Sequence, residues 1–346
     1  MGHRAGVTAL DSTFSEVEGW PGSPQAARRF LLARVARCEP VDSFAVDGER
    51  YGRSDEPPTL VEPSIIDGTR FRAIRVGDPA TLRGVSGFCA FLDGTQDISV
   101  VSQAHGIPIV WATASAAIRV RINRRLVAWQ KRSPLVSRRY YLPFRYVDGL
   151  QPDFARDSRL VDTGGPDADG NIPSRHPAAL MEAAVQRVRD ERERLERALA
   201  EEWCDSEDAA IYIDGSITSS RLTAASSMAA GVIKTHRRLY AEGDAFRVLV
   251  GLSAGERSSV FRVDPRGSAR SSVASWYLRV RDAARRDALF GLVRVEVSEA
   301  SASPDRVDEI SRWIIAEGTP LSLPDGRWDK MAYGIRDTEE FLRAIS

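Results

Sequence analysis

The chain of 346 residues has few of the features that define several large classes of protein. Its three cysteines, Cys38, Cys89 and Cys204, lie far apart and form no Cys-x-x-Cys pair, so we expect neither a disulfide framework nor a zinc ribbon. No apolar run approaches the roughly 18 to 20 residues that cross a membrane, and the opening MGHRAGVTAL lacks the apolar region of a signal peptide. The sequence therefore predicts no membrane partner and a cytoplasmic location.

Lysine is also scarce, since only Lys131, Lys234 and Lys330 are lysines among the 48 basic residues. Arginine presents a planar fork that suits phosphate, but arginine in place of lysine throughout a chain can equally reflect a GC-rich genome. The net charge is 0, which argues against indiscriminate binding to a polyanion. The distribution of charge along the chain is therefore more informative than its total.

The apolar pattern predicts an α/β fold. Residues 1–80 mix amphipathic stretches with proline-rich turns and predict a helical or irregular N-terminal extension, which leaves 81–346 as the main domain. From Val85 onwards, GFCAFLDG, DISVVSQ and IPIVWATASAAIRVRI are apolar, β-branched and bounded by glycine or proline, as is typical of an antiparallel meander. Residues 148–177 are rich in Asp, Gly and Pro and predict a loop insertion.

The second half of the chain predicts helices and strands in alternation. Helical spacing of apolar residues predicts a helix from Pro177 to Trp203, which leads into the strand AAIYIDG. Further strands are predicted over VIKTH, VLVGL, SVFRVD, SWYLRVR and LFGLVRVEV, then a helix from Asp305 to Glu317 and a short last helix near DTEEFLRAI. This order favours a mixed sheet flanked by helices.

Two short motifs, FLDGT around Asp93 and YIDGS around Asp214, share one pattern. Each is a predicted strand that ends at Asp-Gly and is followed by a hydroxyl residue. A single Asp-Gly is more often an ordinary turn. Two in the same context favour a metal-dependent nuclease, because such enzymes project carboxylates from adjacent strands to hold two divalent ions roughly 4 Å apart across one phosphate.

The predicted helix before Asp214 is the expected source of a third carboxylate. By helical geometry Glu196 lies beside the apolar stripe, Glu191 borders its other edge, and Glu193 points to solvent. Glu196 is therefore the favoured residue. The alternative for each glutamate is a solvated charged face with i,i+4 pairs to arginine.

A basic segment runs from Arg119 to Arg145, with nine basic residues and no Asp or Glu. Interleaved aromatic residues could stack unpaired bases while the arginines neutralise phosphates, although a basic surface balanced by acidic loops elsewhere remains the alternative. In the stretches GVIKTHRR and GERSS, further basic residues could clamp phosphates or stabilise developing charge. The predicted DNA contacts are Arg119, Arg121, Arg124, Arg125, Lys131, Arg132, Arg138, Arg139, Arg237 and Arg257, with Trp129 and Tyr140 as stacking residues.

From Val85 to the end, the order of motifs resembles the NurA family of nucleases. The matching pieces are FLDGT, the glutamate-bearing helix, IYIDGS, GVIKTHRRLY, GLSAGERSSVF, SWYLRV, GLVRVEV and EGTPLSL. The resemblance implies an RNase H-like fold and a toroidal homodimer that uses Mn²⁺ or Mg²⁺. It also implies endonuclease and 5′ exonuclease activity on single-stranded DNA, together with a HerA-type hexameric ATPase. No Gly-x-x-x-x-Gly-Lys-Ser/Thr motif is present, so the motor would come from that partner.

The resemblance also implies roles for particular residues. Asp93, Asp214 and Glu196 would be metal ligands, with Glu191 or Glu193 in place of Glu196 if the loop length differs. Lys234 falls on the family's basic strand position, so it is added to the catalytic residues.

One departure from the family concerns its last metal-site residue, a histidine soon after a proline-leucine segment. After TPLSL this chain has no histidine, and the candidates are Asp325 and Asp329. Because aspartate also ligates hard divalent cations, Asp329 is the expected substitute, as a metal ligand and catalytic residue.

Three functions follow from these expectations. The first is an active DNA nuclease that works with a HerA-like translocase in end repair or phage defence. The second is a catalytically impaired relative that serves as a DNA-binding adaptor or regulator of the translocase, which the missing histidine motivates. The third is an RNase H-like enzyme of another specificity, such as an RNase or a resolvase.

Overall fold

The fold is taken from a computed structural model of the chain. It describes residues 21–35, 39–45, 58–82, 86–150, 152–167, 170–264, 271–284, 286–318 and 330–346, without the side chains of 39–45 and 152–153. Asp325 and Asp329 lie outside the described residues, as does much of the predicted N-terminal extension.

The described residues form helices and strands in a mixed order. The helices are α1 (Pro24–Leu32), α2 (Pro152–Ala155), α3 (Pro177–Ser206), α4 (Arg221–Ala225), α5 (Asp244–Gly251), α6 (Pro304–Glu317) and α7 (Tyr333–Ile345). The strands are β1 (Glu39–Ala45), β2 (Thr59–Leu60), β3 (Ser64–Ile65), β4 (Ala73–Arg75), β5 (Ala90–Ala104), β6 (Ile107–Ile122), β7 (Arg125–Ala128), β8 (Leu135–Leu142), β9 (Leu160–Asp162), β10 (Ile211–Asp214), β11 (Ala229–Ile233), β12 (Arg238–Leu239), β13 (Glu256–Ser258), β14 (Phe261–Val263), β15 (Val273–Arg279) and β16 (Leu292–Val297).

Internal contacts divide the chain into two compact units. The first comprises residues 1–52, 97–112 and 138–187, and the second comprises 53–96, 113–137 and 188–346. The division at residue 80 that the sequence suggests stays a prediction.

The first unit packs α1 against strand residues. Its core contains Leu31, Val101, Ile107, Tyr140 and Leu142, all buried. Within this unit β1 pairs antiparallel with β5, and β9 pairs parallel with β8. The stretch 148–177, predicted as a loop insertion, therefore contains the short helix α2 and the paired strand β9.

The second unit is built on a mixed sheet. Its strands follow the order β3-β14-β15-β16-β11-β10-β5-β6. Strand β10 pairs parallel with both β5 and β11, whereas β16 pairs antiparallel with β11 and β15. The predicted α/β fold, with a mixed sheet flanked by helices, is confirmed.

Helices cover both faces of the sheet in this unit. Because neighbouring residues of a strand point to opposite faces, Leu92 and Ile213 pack into the cluster that contains Trp203 of α3. Phe91 and Tyr212 pack into the other cluster, with Ile310, Ile314 and Ile335 of α6 and α7. Asp93 and Asp214 are the next residues in the two strands. The packing of the preceding residues in the core therefore fixes the backbone positions of both aspartates.

Two predicted elements are wrong. The stretches GFCAFLDG and DISVVSQ form the single strand β5, which continues to Ala104, so Asp93 lies inside a strand rather than at its end. The stretch VLVGL lies in α5 instead of a strand, with Ala245 and Leu249 buried on one helical face. A short apolar run has no periodicity that separates a helix from a strand.

Other elements agree with the sequence. Strand β10 ends at Asp214, and α3 extends three residues beyond the predicted Trp203, to Ser206. Helix α6 begins at Pro304 after the N-cap residue Ser303, whose side chain accepts a hydrogen bond from the Arg306 amide. Among the described residues, no helix is long and apolar enough to cross a membrane.

Candidate metal centre

The two aspartates predicted from the sequence lie on adjacent parallel strands. The pairing of β5 with β10 sets Phe91 beside Tyr212 and Leu92 beside Ile213, so the next residues along are Asp93 and Asp214. Asp93 is buried, and its Oδ1 accepts a hydrogen bond of 2.8 Å from the Gly94 amide. Parallel pairing therefore brings two carboxylates to one place on the sheet.

Glu196 of α3 reaches the residue that follows Asp93. A Cβ atom added to Gly94 would lie 2.1 Å from Oε1 of Glu196, so the glutamate carboxylate occupies the space that a side chain at position 94 would fill. The alternative Glu191 is held by Arg194 through hydrogen bonds of 2.7 and 2.9 Å, and Glu193 is exposed. Of the three glutamates considered, Glu196 is the one whose side chain reaches β5, where it contacts Gly94, and its charge helps to raise the pKa of Asp93. We call Asp93, Glu196 and Asp214 the carboxylate cluster.

The pKa values of the cluster show that its members interact. Burial raises the pKa of Asp93 well above its ordinary value, and the charges of Asp214 and Glu196 add to this, while Lys234 opposes it. Burial also raises the pKa of Glu196 to about 7, with Arg192 opposing and Asp214 adding to the shift. Asp93 and Glu196 are desolvated, and neighbouring negative charges act on both. A bound cation would reduce this repulsion.

Lys234 supplies a cation to the cluster. Its Nζ lies 2.7 Å from Oδ2 of Asp214 and 3.8 Å from the sulfur of Met331. It follows β11 directly, beside the strand that carries Asp214. The structure therefore places the predicted basic strand residue in contact with the predicted metal ligand.

The cluster suits a hard divalent ion by donor type. Carboxylate oxygens are the ligands that Mg²⁺ and Mn²⁺ prefer, and a divalent charge would relieve the repulsion that raises the pKa values of Asp93 and Glu196. Among the residues that the structure describes, no group of three or more histidine, cysteine, aspartate or glutamate side chains is arranged so that it could hold a metal ion. The proposed fourth ligand, Asp329, lies outside that part of the chain.

Beside the cluster lies a pocket of about 250 Å³. Glu196, Asp214 and the loop Gly215–Ser220 line it, together with Arg192 and Arg197 of α3. Gly215 has a φ of +131°, a conformation that favours glycine, and so lets the chain turn directly after Asp214. We call this cavity the Asp214 pocket.

A buried glutamate braces the loop that lines this pocket. Glu296 of β16 is fully buried, and its Oε2 accepts hydrogen bonds from Ser216 Oγ at 2.7 Å and from the Ile217 amide at 3.2 Å. Its Oε1 accepts one of 2.8 Å from Arg294. Sequence reasoning missed Glu296, although a charged residue inside the apolar strand LVRVEV is a signal that could have identified it.

Some predicted DNA contacts are exposed. Arg124 and Arg125 lie at the turn between β6 and β7, where Asn123 and Arg124 have φ values of +50° and +66°. Arg237 is exposed as well, whereas Arg138 and Arg139 are half-buried in β8. The turn residues therefore offer the most accessible positive charge of the basic segment.

Other members of the basic segment have acidic partners from distant parts of the sequence. Arg119 pairs with Asp337 at 2.7 Å, and Arg121 pairs with Glu317 at 2.8 Å. Lys131 lies 2.9 Å from Glu207, and Arg132 lies 3.5 Å from Glu202. The segment contains no acidic residue, but in the folded protein acidic residues from elsewhere in the chain pair with these four side chains.

Three further residues predicted to bind DNA are buried. Trp129 donates a hydrogen bond of 3.0 Å to Glu207, and its ring centroid lies 5.2 Å from that of Trp203. Tyr140 lies in the core and donates to the Ala27 carbonyl. Arg257 is buried and pairs with Asp308 at 2.6 Å. These side chains pack and balance charge inside the protein, so their rings and guanidinium face protein rather than solvent.

The raised pKa of Glu196 predicts pH-dependent stability of the metal-free protein. Between pH 4.5, its ordinary pKa, and about 7 the folded chain keeps a proton that the unfolded chain has released, so the free energy of unfolding falls as the pH rises through this window. Replacing Glu196 with glutamine should remove this dependence and raise stability at pH 8 by up to about 3 kcal/mol. Urea denaturation from pH 4.5 to 8 measures it.

The control for this prediction is Glu182→Gln, which alters an exposed glutamate of the same helix. It should leave the pH profile of the wild type unchanged. Part of the slope should survive in Glu196→Gln, because the pKa of Asp93 is also raised. A profile for Glu196→Gln that matches the control would show that Glu196 is not desolvated as described.

Comparisons of the chain with protein-family models and with curated proteins gave no match. The chemistry of the site therefore rests on its own geometry. That geometry consists of three interacting carboxylates, a lysine in contact with one of them, and an adjacent pocket lined by arginines and hydroxyl groups.

Proposed function

We propose that the chain is a metal-dependent nuclease of the NurA family that hydrolyses phosphodiester bonds in single-stranded DNA. The observation that carries this proposal is the placement of Asp93 and Asp214 on adjacent parallel strands, with Glu196 close enough for its charge to raise the pKa of Asp93. The two aspartates come from adjacent parallel strands, β5 and β10, and the glutamate comes from the helix between them in sequence. This arrangement supports the RNase H-like core that the motif order implies.

In this proposal the carboxylate cluster binds one or two Mn²⁺ or Mg²⁺ ions. When bound, such ions polarise a phosphoryl oxygen and lower the pKa of coordinated water. The chain's own residues orient the site, because Gly94 leaves room for Glu196 and Glu296 fixes the loop after Asp214. Lys234, in contact with Asp214, supplies positive charge that would stabilise charge developing on the phosphate.

The proposed partners are single-stranded DNA, a second copy of the chain, and a HerA-like hexameric ATPase. Exposed Arg124, Arg125 and Arg237 support contact with a phosphate backbone. The ATPase, the homodimer, the combined endonuclease and 5′ exonuclease activity, and the role in DNA end processing or phage defence rest on the order of sequence motifs. The translocase would supply the ATP-driven motion.

A second function, a non-catalytic DNA-binding adaptor of the translocase, is favoured by a different observation. Nζ of Lys234 already pairs with Oδ2 of Asp214 at 2.7 Å, so a cation of the protein occupies one ligand oxygen. The sequence also lacks the family's histidine after TPLSL. This function predicts binding of DNA without hydrolysis.

A nuclease assay separates these functions. Purified protein would be incubated with end-labelled single-stranded DNA and manganese, magnesium, cobalt or a chelator, with and without the ATPase encoded by a neighbouring gene. We expect manganese-dependent cleavage that the chelator stops. Retention of DNA without cleavage under every condition would support the adaptor and contradict the nuclease. Faster cleavage of RNA–DNA hybrid or branched DNA would favour another RNase H-like specificity.

A further inference from the structure

The Asp214 pocket is lined by basic and hydroxyl side chains in addition to members of the carboxylate cluster. Arg192 lies one helical turn before Glu196, and Arg197 follows Glu196 directly. Both side chains line the cavity together with the loop Gly215–Ser220, whose Ser219 is exposed. Guanidinium groups and hydroxyls together are the donors that proteins use for phosphate oxygens.

Arg192 has an unused donor in this place. Its Nε is buried, and among the described residues it has no hydrogen-bond partner. Arg192 forms the i,i+4 ion pair with Glu196, but Oε1 of Glu196 lies 3.6 Å from this Nε, beyond the range of a good hydrogen bond. A buried donor left without an acceptor is unfavourable, so the geometry points to an acceptor that the pocket receives from outside.

The charges around the pocket indicate when an anion can enter. Two positive side chains, Arg192 and Arg197, face three acidic ones, Glu193, Glu196 and Asp214. Lys234 offsets the charge of Asp214, so a free anion meets little net charge. One divalent ion on the carboxylates would make the surroundings of the pocket positive, so an anion should bind here more tightly with the cation than without it.

The size of the pocket limits what can enter. Its volume of about 250 Å³ is below the roughly 300 to 1,000 Å³ of pockets that enclose a drug-sized ligand. A phosphate group with part of its sugar fits this description better than a stacked base. The occupant is therefore a segment of backbone rather than a whole nucleotide.

We infer that Arg192 and Arg197 form a subsite in the Asp214 pocket that binds a backbone phosphate of the DNA strand, next to the phosphodiester that is cut. The inference rests on the proposed function and adds a position for the strand: it passes between α3 and the loop after Asp214. The subsite binds the strand more tightly when a divalent ion neutralises the cluster.

Binding measurements test the subsite apart from cleavage. A fluorescein-labelled single-stranded oligodeoxythymidylate would be titrated with the full chain and followed by fluorescence anisotropy, with calcium and with a chelator, at several salt concentrations. Arg192→Gln and Arg197→Gln should each weaken binding in calcium about tenfold. Each should also lower the slope of log K against log salt by about 0.7, the value for one lost contact to single-stranded phosphate.

The matched control is Arg194→Gln on the same helix. Arg194 pairs with Glu191 at 2.7 Å and does not line the pocket, so affinity and salt slope should equal those of the wild type. Arg192→Lys keeps the charge but loses the planar fork, and should bind between the wild type and Arg192→Gln. This variant separates loss of a phosphate contact from loss of the fold.

Two results would overturn the subsite. One is binding by Arg192→Gln and Arg197→Gln that equals the control in affinity and salt slope. The other is displacement of the oligonucleotide by inorganic phosphate at the same concentration of phosphate groups, which would show a free-anion site. If the wild type cuts DNA while the first result holds, the subsite fails and the proposed function stands. If binding depends on calcium and on both arginines but the protein does not cut DNA in manganese, the subsite stands and the proposed function fails.

Discussion

Asparagine in place of Asp214 should reduce metal-dependent cleavage of single-stranded DNA at least about a thousandfold. Metal ions contribute several kcal/mol of transition-state stabilisation in such reactions, and each 1.36 kcal/mol corresponds to a tenfold change in rate. Asp93→Asn should have an effect of similar size. Asp93 is buried with a raised pKa, so a neutral residue of the same shape should fold at least as stably at neutral pH. Single-turnover rates in manganese measure both losses.

The control for both aspartates is Asp97→Asn, which changes an exposed aspartate of the same strand, β5. It should cleave at the wild-type rate. Cleavage by Asp93→Asn or Asp214→Asn at that same rate would exclude the carboxylate cluster as the active site. Equal loss in all three variants would point to damage of β5 and its neighbours rather than to loss of metal ligands.

Glutamine in place of Glu296 should destabilise the protein and slow cleavage together. The substitution leaves Arg294, which is also largely buried, without its counter-charge, and breaking one side of a buried ion pair costs about 3 to 5 kcal/mol. It also weakens the acceptor that holds Ser216 and Ile217 directly after Asp214. Because partners behind metal ligands are worth about 10- to 100-fold in activity, we expect a loss in kcat of that order.

Urea denaturation and steady-state kinetics would separate the two effects of this change. Glu299→Gln is the control, since Glu299 pairs with Arg262 at 2.8 Å in a largely exposed position, where an ion pair contributes little to stability. Full activity of the folded Glu296→Gln protein at low temperature would show that Glu296 only stabilises the fold and does not position the loop.

The parts of the fold and site that sequence reasoning anticipated depend on local periodicity. Helix α3 follows from apolar spacing, and the same spacing singles out Glu196, which the structure packs against Gly94. Strand β10 ends at Asp214 because Gly215 turns the chain there. The metal-ligand roles of these residues stay predictions.

The parts that were missed depend on partners far away in sequence. The pairing of Arg121 with Glu317 joins residues 196 positions apart, and that of Arg257 with Asp67 joins residues 190 apart. A run of arginines therefore says little about which of them remain free. Distant partners also override the local signal at Asp93. Asp-Gly favours a turn locally, but pairing of β5 with its neighbours keeps the strand extended through this residue.

The absence of a side chain at position 94 has a genetic consequence. Every other residue type carries a Cβ atom, which would meet the end of the flexible Glu196 side chain rather than rigid backbone. The glutamate would have to rotate away, and its carboxylate would then leave its position beside Gly94. We therefore expect missense variants at position 94 to fold but to have altered chemistry. In such variants the cellular amount of protein and its activity would differ more sharply than in variants of the two aspartates.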